Sequence, residues 1–349
     1  MFTLLKWLSN QSGGVRQRVI GIYALLTFAN LGAWTWAVLL FRDHPVLLGT
    51  ALLAYGFGLR HAVDADHIAA IDNVARKLMQ EGKRPVGVGL FFALGHSTVV
   101  ILAAAAVAAT ATALTGSFEK FKAVGSVIGT SVSALFLFAI AAANIMILRG
   151  VWRTFQHVRR GGCYVEEDFD LLLNSRGLLA PLFRLIRASW HMFPLGFLFG
   201  LGFDTATEVA VLGISAAQAA QGISIWSIMV FPALLAAGMS VADTTDGILM
   251  LGAYDWAFVK PMRKRYYNLT ITAVSVVVAV LVGGIEALGL LGDQFGLEGA
   301  FWNGIGALND NMNTSGFAII GLFIAAWIGS VVFYRYKGLD DLEVRSAEG

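Results

Sequence analysis

Long runs of apolar residues alternate with short charged segments along almost the whole chain. Every run contains at least 20 residues, and about 20 apolar residues in a helix cross the ~30 Å hydrocarbon core of a bilayer. The second and fifth runs are interrupted by polar motifs. The pattern predicts an all-α, polytopic membrane protein with eight transmembrane helices, at residues 19–41, 47–70, 86–112, 123–147, 191–214, 225–251, 269–291 and 316–335.

The first run follows three basic residues, Lys6, Arg16 and Arg18, and so resembles the start of a secretory signal peptide. It is too long for the apolar region of such a peptide, and no clear small-residue cleavage site follows it. We therefore expect it to be a retained span.

Composition supports a membrane location. The 349 residues are 57% hydrophobic and only 14% charged, with a mean hydropathy of +0.70, whereas a soluble domain carries roughly 25% charge.

Nothing in the sequence indicates a nucleic-acid surface. The single cysteine, Cys163, excludes an intrachain disulfide and is expected to be a free cytoplasmic thiol.

Basic residues predict the orientation. Residues 149–188 form the only long connection, expected to be a cytoplasmic linker between two four-span halves, 1–148 and 189–349. With a cytoplasmic N-terminus, 21 of the 25 Lys and Arg residues lie on the inner side. Because basic residues concentrate on the cytoplasmic side, both termini are expected in the cytoplasm and the protein in the cytoplasmic (inner) membrane.

The most specific motif lies in span 2. It runs from Arg60 to His67 with the sequence RHAVDADH. On an uninterrupted helix His61, Asp64 and His67 share an arc of about 120°, which would let them grip one ion while Asp66 orients an imidazole. Imidazole and carboxylate together suit Ni²⁺, Co²⁺ or Zn²⁺. The alternative is a solvated helix end, where Lys and Glu would be commoner.

Three further spans contain polar groups that are costly in a membrane. Span 3 has His96 beside Gly95 and Ser97, although a lone histidine is also a common packing residue. Two carboxylate pairs share helix faces, and like charges there repel unless a cation or proton lies between them. The pairs are Asp204 with Glu208 in span 5 and Asp243 with Asp246 in span 6. The alternative is that these carboxyl groups are neutral, form hydrogen bonds and serve only in helix packing.

The polar pairs of spans 2 and 3 are related to those of spans 5 and 6 by inversion. Under the predicted orientation the two pairs of helices cross the bilayer in opposite directions. Transporters with inverted repeats bind their substrates at the midplane between such repeats. The pattern suggests an inverted repeat and an ion path through Asp204, Glu208, Asp243 and Asp246.

Other function classes are less favoured. The chain has no Gly-x₄-Gly-Lys-Ser/Thr loop for ATP and no His-Glu-x-x-His zinc motif. Two alternatives to a permease stay open at this point: a metal-dependent intramembrane enzyme, and the membrane subunit of a multi-component importer. Uptake by the purified chain without ATP would distinguish them.

The motifs resemble those of the nickel/cobalt transporter family, in particular the high-affinity nickel permeases of bacteria. The resemblance rests on residues 60–68, 91–98, 201–208 and 243–247, in that order. It implies uptake of Ni²⁺, sometimes Co²⁺, by secondary transport without a dedicated ATPase. It also implies that the metal is cargo and no cofactor is held. The essential residues it implies are His61, Asp64, Asp66, His67 and His96.

Overall fold

A computed structural model describes residues 13–110, 115–159, 186–202, 206–257 and 261–336. Within these ranges the chain is helical and contains no strand, which confirms the all-α prediction. The α-helices are α1 (Gly13–Phe41), α2 (Pro45–His61), α3 (Ala65–Gln80), α4 (Val88–Thr110), α5 (Thr115–Arg159), α6 (Met192–Gly200), α7 (Ala206–Ala220), α8 (Ile225–Ile228), α9 (Val230–Ala257), α10 (Pro261–Phe295), α11 (Ala300–Asp310) and α12 (Met312–Tyr336); a 3₁₀ turn, Ser189–His191, precedes α6.

Five stretches of helix in the described ranges are long and apolar enough to cross a membrane. They coincide with predicted spans 1, 3, 4, 6 and 7, and α2 with α3 gives a sixth if the bent pair is one span. The predicted fifth and eighth spans overlap shorter apolar helices, 207–220 and 314–326. The chain is therefore an integral membrane protein by composition and helix length, with five to six candidate spans.

The second span is broken in the middle of its polar motif. Helix α2 ends at His61, α3 begins at Ala65, and their axes differ by 52°. Asp64 has an extended backbone, with φ −64° and ψ 147°, at the position that precedes the first turn of α3. The prediction that placed the motif on one face of a single uninterrupted helix is therefore wrong.

The fifth span has a similar interruption. Helix α6 ends at Gly200 and α7 begins at Ala206. Asp204 lies in the short stretch between them, outside the described residues.

Glycines allow two pairs of helices to approach backbone to backbone. A Cβ on Gly58 of α2 would overlap the carbonyl oxygen of Leu235 on α9. In the same way, a Cβ on Gly95 of α4 would overlap the carbonyl oxygen of Phe193 on α6, and one on Gly196 that of Phe92. Small residues permit such packing in membranes, where lipid offers no hydrophobic drive for helix association.

The C-terminal helices cover the break in span 2. A Cβ on Gly316 of α12 would overlap the carbonyl oxygen of Val63, inside the break. Helices α5 and α10 pack beside it through an apolar cluster that includes Leu137 and Val282. The break is thus enclosed by protein, as non-helical backbone at membrane depth must be.

Part of the predicted linker continues a helix, because α5 extends to Arg159. The end of the linker contacts the last turn of α3 and the turn that follows it. Lys77 Nζ donates to the carbonyl oxygen of Ile186 at 2.6 Å, and Lys83 Nζ to that of Arg187 at 2.8 Å. Residues 160–185, with Cys163, and the residues at the termini before 13 and after 336 lie outside the described residues.

We expect Gly95→Ala to lower the free energy of unfolding by about 1–3 kcal/mol, because the added methyl must separate α4 from α6. Gly32→Ala on α1 is the control, since a Cβ there meets nothing within 4 Å. Thermal unfolding of the two purified variants in detergent measures the difference. Equal stability of both variants would contradict the close crossing.

Candidate metal site

Three histidines from three helices meet in the protein interior. His61 ends α2, His67 lies in the first turn of α3, and His96 lies in α4. Their ring centroids are 4.6 to 4.8 Å apart, and one nitrogen from each ring lies within 4.8 Å of the others. All three side chains are buried, with at most 3% of each residue exposed.

The break in span 2 makes this convergence possible. On a continuous helix two residues six apart are separated by about 9 Å along the axis. The bend after His61 instead brings its ring within 4.6 Å of the ring of His67. The close packing of α4 then adds His96 from the side.

Carboxylates hold two of the rings through Nδ1. Asp64 Oδ2 lies 2.6 Å from His61 Nδ1, and both carboxylate oxygens of Asp243 lie 3.3 Å from His67 Nδ1. Such contacts fix the tautomer and orientation of metal-binding histidines and leave Nε2 for the ion. His67 Nε2 is buried and has no hydrogen-bond partner among the described residues.

Glu208 brings a fourth potential ligand from α7. Its Oε1 lies 2.8 Å from His96 Nε2 and 3.9 Å from His61 Nε2. The two histidine nitrogens are themselves 2.9 Å apart. Glu208 is 1% exposed, so its charge faces the imidazoles without competition from bulk water.

The surroundings of the cluster are apolar. Phe92 packs edge-on against His67, with the ring centroids 4.8 Å apart, and Phe199 packs against Phe92 in turn. Ala62, Ala93 and Met239 form a buried apolar group nearby. A site of this kind strengthens the attraction between a dication and its ligands, because little water screens it.

The predicted residues therefore occupy different places from those the motif suggested. Asp64 occupies the position that orients His61, a role that the sequence analysis assigned to Asp66. Asp66 instead lies partly exposed in the first turn of α3. Glu208, expected only on an ion path, joins the histidines. Asp243 holds His67, and Asp246 follows one helical turn further along α9.

A second buried polar group continues from the site along α3, and sequence reasoning missed it. Asn73 Oδ1 accepts from Arg76 Nη2 at 2.8 Å and from Asn144 Nδ2 at 3.0 Å. Ser275 Oγ donates to Asp72 at 2.9 Å. Arg76 lies between predicted spans 2 and 3, where the prediction of spans places an inner loop, but it is 1% exposed. One feature of the sequence indicated this polar group: residues 72, 73 and 76 are spaced so that they share one face of a helix.

Apolar helices around a buried set of three imidazoles and a carboxylate define a class: an integral membrane protein with a candidate metal site inside its helical bundle. Imidazole and carboxylate ligands, with no thiolate among the contacts described, favour a divalent first-row transition metal.

Comparison with known proteins places the chain within that class. Residues 47–333 match the NicO family model, described as high-affinity nickel-transport protein. The chain belongs to this family of membrane transporters. No solved structure gives a significant match.

Curated relatives cover nearly the whole chain. It is 62% identical to the high-affinity nickel transport protein of Cupriavidus necator, over 99% of this chain and all of that protein. It is 55% identical to the hydrogenase nickel incorporation protein HupN of Bradyrhizobium diazoefficiens, over 93% of this chain and 87% of that one. The cobalt transport protein NhlF of Rhodococcus rhodochrous is 40% identical, over 83% of this chain and 84% of its own length.

We expect Asp64→Ala to weaken nickel binding by about 10- to 100-fold, because His61 loses the group that orients its ring. Asp64→Asn keeps an acceptor oxygen without the charge and should have a smaller effect. Equilibrium dialysis of the purified chain against Ni²⁺ measures both.

The control for this test is Asp43→Ala, since Asp43 is exposed and contacts Arg42 outside the bundle. Nickel binding by Asp64→Ala as tight as that of the Asp43→Ala control would show that Asp64 does not orient the ligand.

Proposed function

We propose that the chain imports Ni²⁺, and to a lesser degree Co²⁺, across the cytoplasmic membrane. The observation that carries this proposal is the convergence of His61, His67 and His96 with Glu208 in one buried cluster. The names of the relatives favour nickel, and the cobalt transport protein among them favours the second ion. The ion is cargo, bound and then released.

In this proposal the three imidazoles and Glu208 bind the ion directly. Asp64 and Asp243 hold their histidines at 2.6 and 3.3 Å and supply negative charge close to the dication. Asp66, in the first turn of α3, adds charge beside the cluster. A dication entering this set replaces its water ligands with protein ligands, which lowers the cost of its passage through the bilayer.

The acidic groups beyond the cluster provide a route for the ion. Asp243 is fully buried, and Asp246 lies one turn further along α9 with a buried oxygen that has no hydrogen-bond partner among the described residues. We assign Asp204 to the same route from its position in the motif.

The complete architecture in this proposal has eight spans, with spans 2 and 3 repeated in inverted form by spans 5 and 6. Two features support the repeat. Spans 2 and 5 are both broken, and each crosses a partner through glycine. Span 2 crosses span 6 at Gly58, and span 5 crosses span 3 at Gly196. Alternating access would then involve one repeat moving against the other.

The orientation in this proposal places both termini and the linker in the cytoplasm. The distribution of basic residues supports it. The end of the linker lies on the same side as the end of α3, because Lys77 contacts Ile186 and Lys83 contacts Arg187.

We expect His67→Ala and His96→Ala each to reduce nickel uptake by more than about 100-fold, because loss of a ligand should exceed the effect of losing an orienting group. The measurement is ⁶³Ni²⁺ uptake by proteoliposomes of the purified chain without ATP. His44→Ala is the matched control, since His44 is exposed in the turn between α1 and α2.

Two results would contradict the proposal. Wild-type uptake that requires an added ATPase would assign the chain to a multi-component importer. Near-normal uptake by His96→Ala would remove the cluster from the transport path.

Acid pH should weaken nickel binding. Only the neutral imidazole ring binds metal, so protons and nickel compete for the same nitrogens. We expect nickel affinity to be present near pH 7 and to fall at lower pH as the rings are protonated. Equilibrium dialysis at pH 7 and pH 5 measures it, with size-exclusion chromatography confirming that the protein stays folded. Equal affinity at both values would contradict competition between protons and nickel at these rings.

A further inference from the structure

A cavity of about 400 Å³ lies between the beginning of α1, the segment before α4 and the 3₁₀ turn before α6. Two arginines line it from different parts of the chain, Arg18 on α1 and Arg84 in the turn after α3, together with Ser189. The rest of its lining is mostly apolar and includes Leu25 and Phe91. None of the proposed metal ligands lines the cavity, and it has no role in the transport proposal.

We propose that this cavity binds the phosphate head group of an anionic phospholipid. Two guanidinium groups and a hydroxyl can all donate to phosphate oxygens. The cavity also lies where the 23-residue helix α4 begins, and the partial positive charge at a helix N-terminus favours an anion. Arg18 Nε donates to the carbonyl oxygen of Gly14 at 3.1 Å, which holds the guanidinium near α1.

The location indicates a lipid as the source of the phosphate. Arg16 and Arg18 immediately precede the long apolar part of α1, so the cavity lies at the level where lipid head groups meet the hydrocarbon core. The outer face of α1 beyond it is apolar, with Phe28 77% and Leu25 57% exposed. Trp190, next to Ser189, is 58% exposed, as is usual for a tryptophan at a membrane interface.

The combination of basic and apolar lining residues distinguishes a lipid from free phosphate as the ligand of the cavity. An acyl chain can follow the apolar wall from Leu25 toward Phe28, whereas inorganic phosphate gains nothing from that wall. Basic pockets between transmembrane helices on the cytoplasmic side are a known kind of anionic-lipid site. The face at which α1 and α4 begin is the one predicted to be cytoplasmic.

A bound lipid would connect parts of the bundle that are distant in sequence. The first turns of α1 already pack against α3 and α9 through an apolar cluster of Val15, Val19, Met79, Val86, Ile248 and Leu251. A phosphate between Arg18 and Arg84 would add a polar connection beside that cluster. We therefore expect the lipid to stabilise α1 against the rest of the bundle.

Native mass spectrometry and thermal unfolding of the full-length chain in detergent test the proposal. The probes are phosphatidylglycerol, phosphatidylcholine with the same acyl chains, and inorganic phosphate. We expect phosphatidylglycerol to bind and raise the unfolding temperature more than either of the others. The double variant R18Q/R84Q should bind it about thirtyfold more weakly, since each basic residue is removed from an anionic head group.

Two controls distinguish the cavity from general surface charge and from misfolding. R16Q/R42Q removes the same charge from residues that do not line the cavity and should bind phosphatidylglycerol like wild type. Gly21→Leu fills the cavity without a charge change, because a Cβ on Gly21 meets nothing within 4 Å; it should also abolish binding. Gly32→Leu, equally open on the same helix, should not.

Three results would overturn the proposal. Unchanged phosphatidylglycerol binding in Gly21→Leu would place the lipid elsewhere. Equal losses in R16Q/R42Q and R18Q/R84Q would reduce the effect to surface charge. Stabilisation by inorganic phosphate equal to that by phosphatidylglycerol would identify a free-anion site.

Discussion

The three-residue break between α2 and α3 is the constraint on which the rest of the site depends. It ends one helix at His61 and starts the next at Ala65 with a 52° change of direction, which brings two imidazoles together that a straight helix would hold about 9 Å apart. The amides of Val63 and Asp64 bond back to the carbonyl oxygens of Arg60 and His61, and membrane interiors tolerate such non-helical backbone only where protein encloses it. The close contact of Gly316 with Val63 provides part of that enclosure. Asp64, the one polar residue of the break, in turn contacts His61 Nδ1 at 2.6 Å.

Glycine contacts supply the second requirement, which is that helices carrying single ligands approach closely enough to share one ion. Gly89 on α4 packs against the backbone of Asp243, the carboxylate that contacts His67, and Gly200 at the end of α6 packs against the backbone of His96. At each of these two contacts a glycine on one helix lies against the backbone of a polar residue on another helix. Helix packing and ion binding therefore depend on the same turns, and a substitution that separates the helices would also separate the ligands.

Much of this could be predicted from the sequence, for identifiable physical reasons. Helical class and most spans followed from apolar length, and the residue types of His61, His67 and His96 indicated a transition metal. The contacts of Glu208 and the role of Asp64 could not be predicted, because both depend on where a helix breaks and on which helices touch, and neither is encoded in local periodicity. Arg76 was placed in a loop for a related reason: a charge near the end of an apolar run resembles a solvated helix end, and only its neighbours Asn73 and Asn144 show that it is buried.

The central claim is that three imidazoles from α2, α3 and α4 bind one nickel ion together with a carboxylate from α7. X-ray absorption spectroscopy at the nickel edge of the loaded, purified protein tests it most directly, since outer-shell scattering from imidazole rings allows them to be counted. The account predicts three imidazoles and additional oxygen ligands in the wild type, and two imidazoles in His96→Ala. A nickel ion coordinated by oxygen alone, or an imidazole count unchanged in His96→Ala, would contradict it.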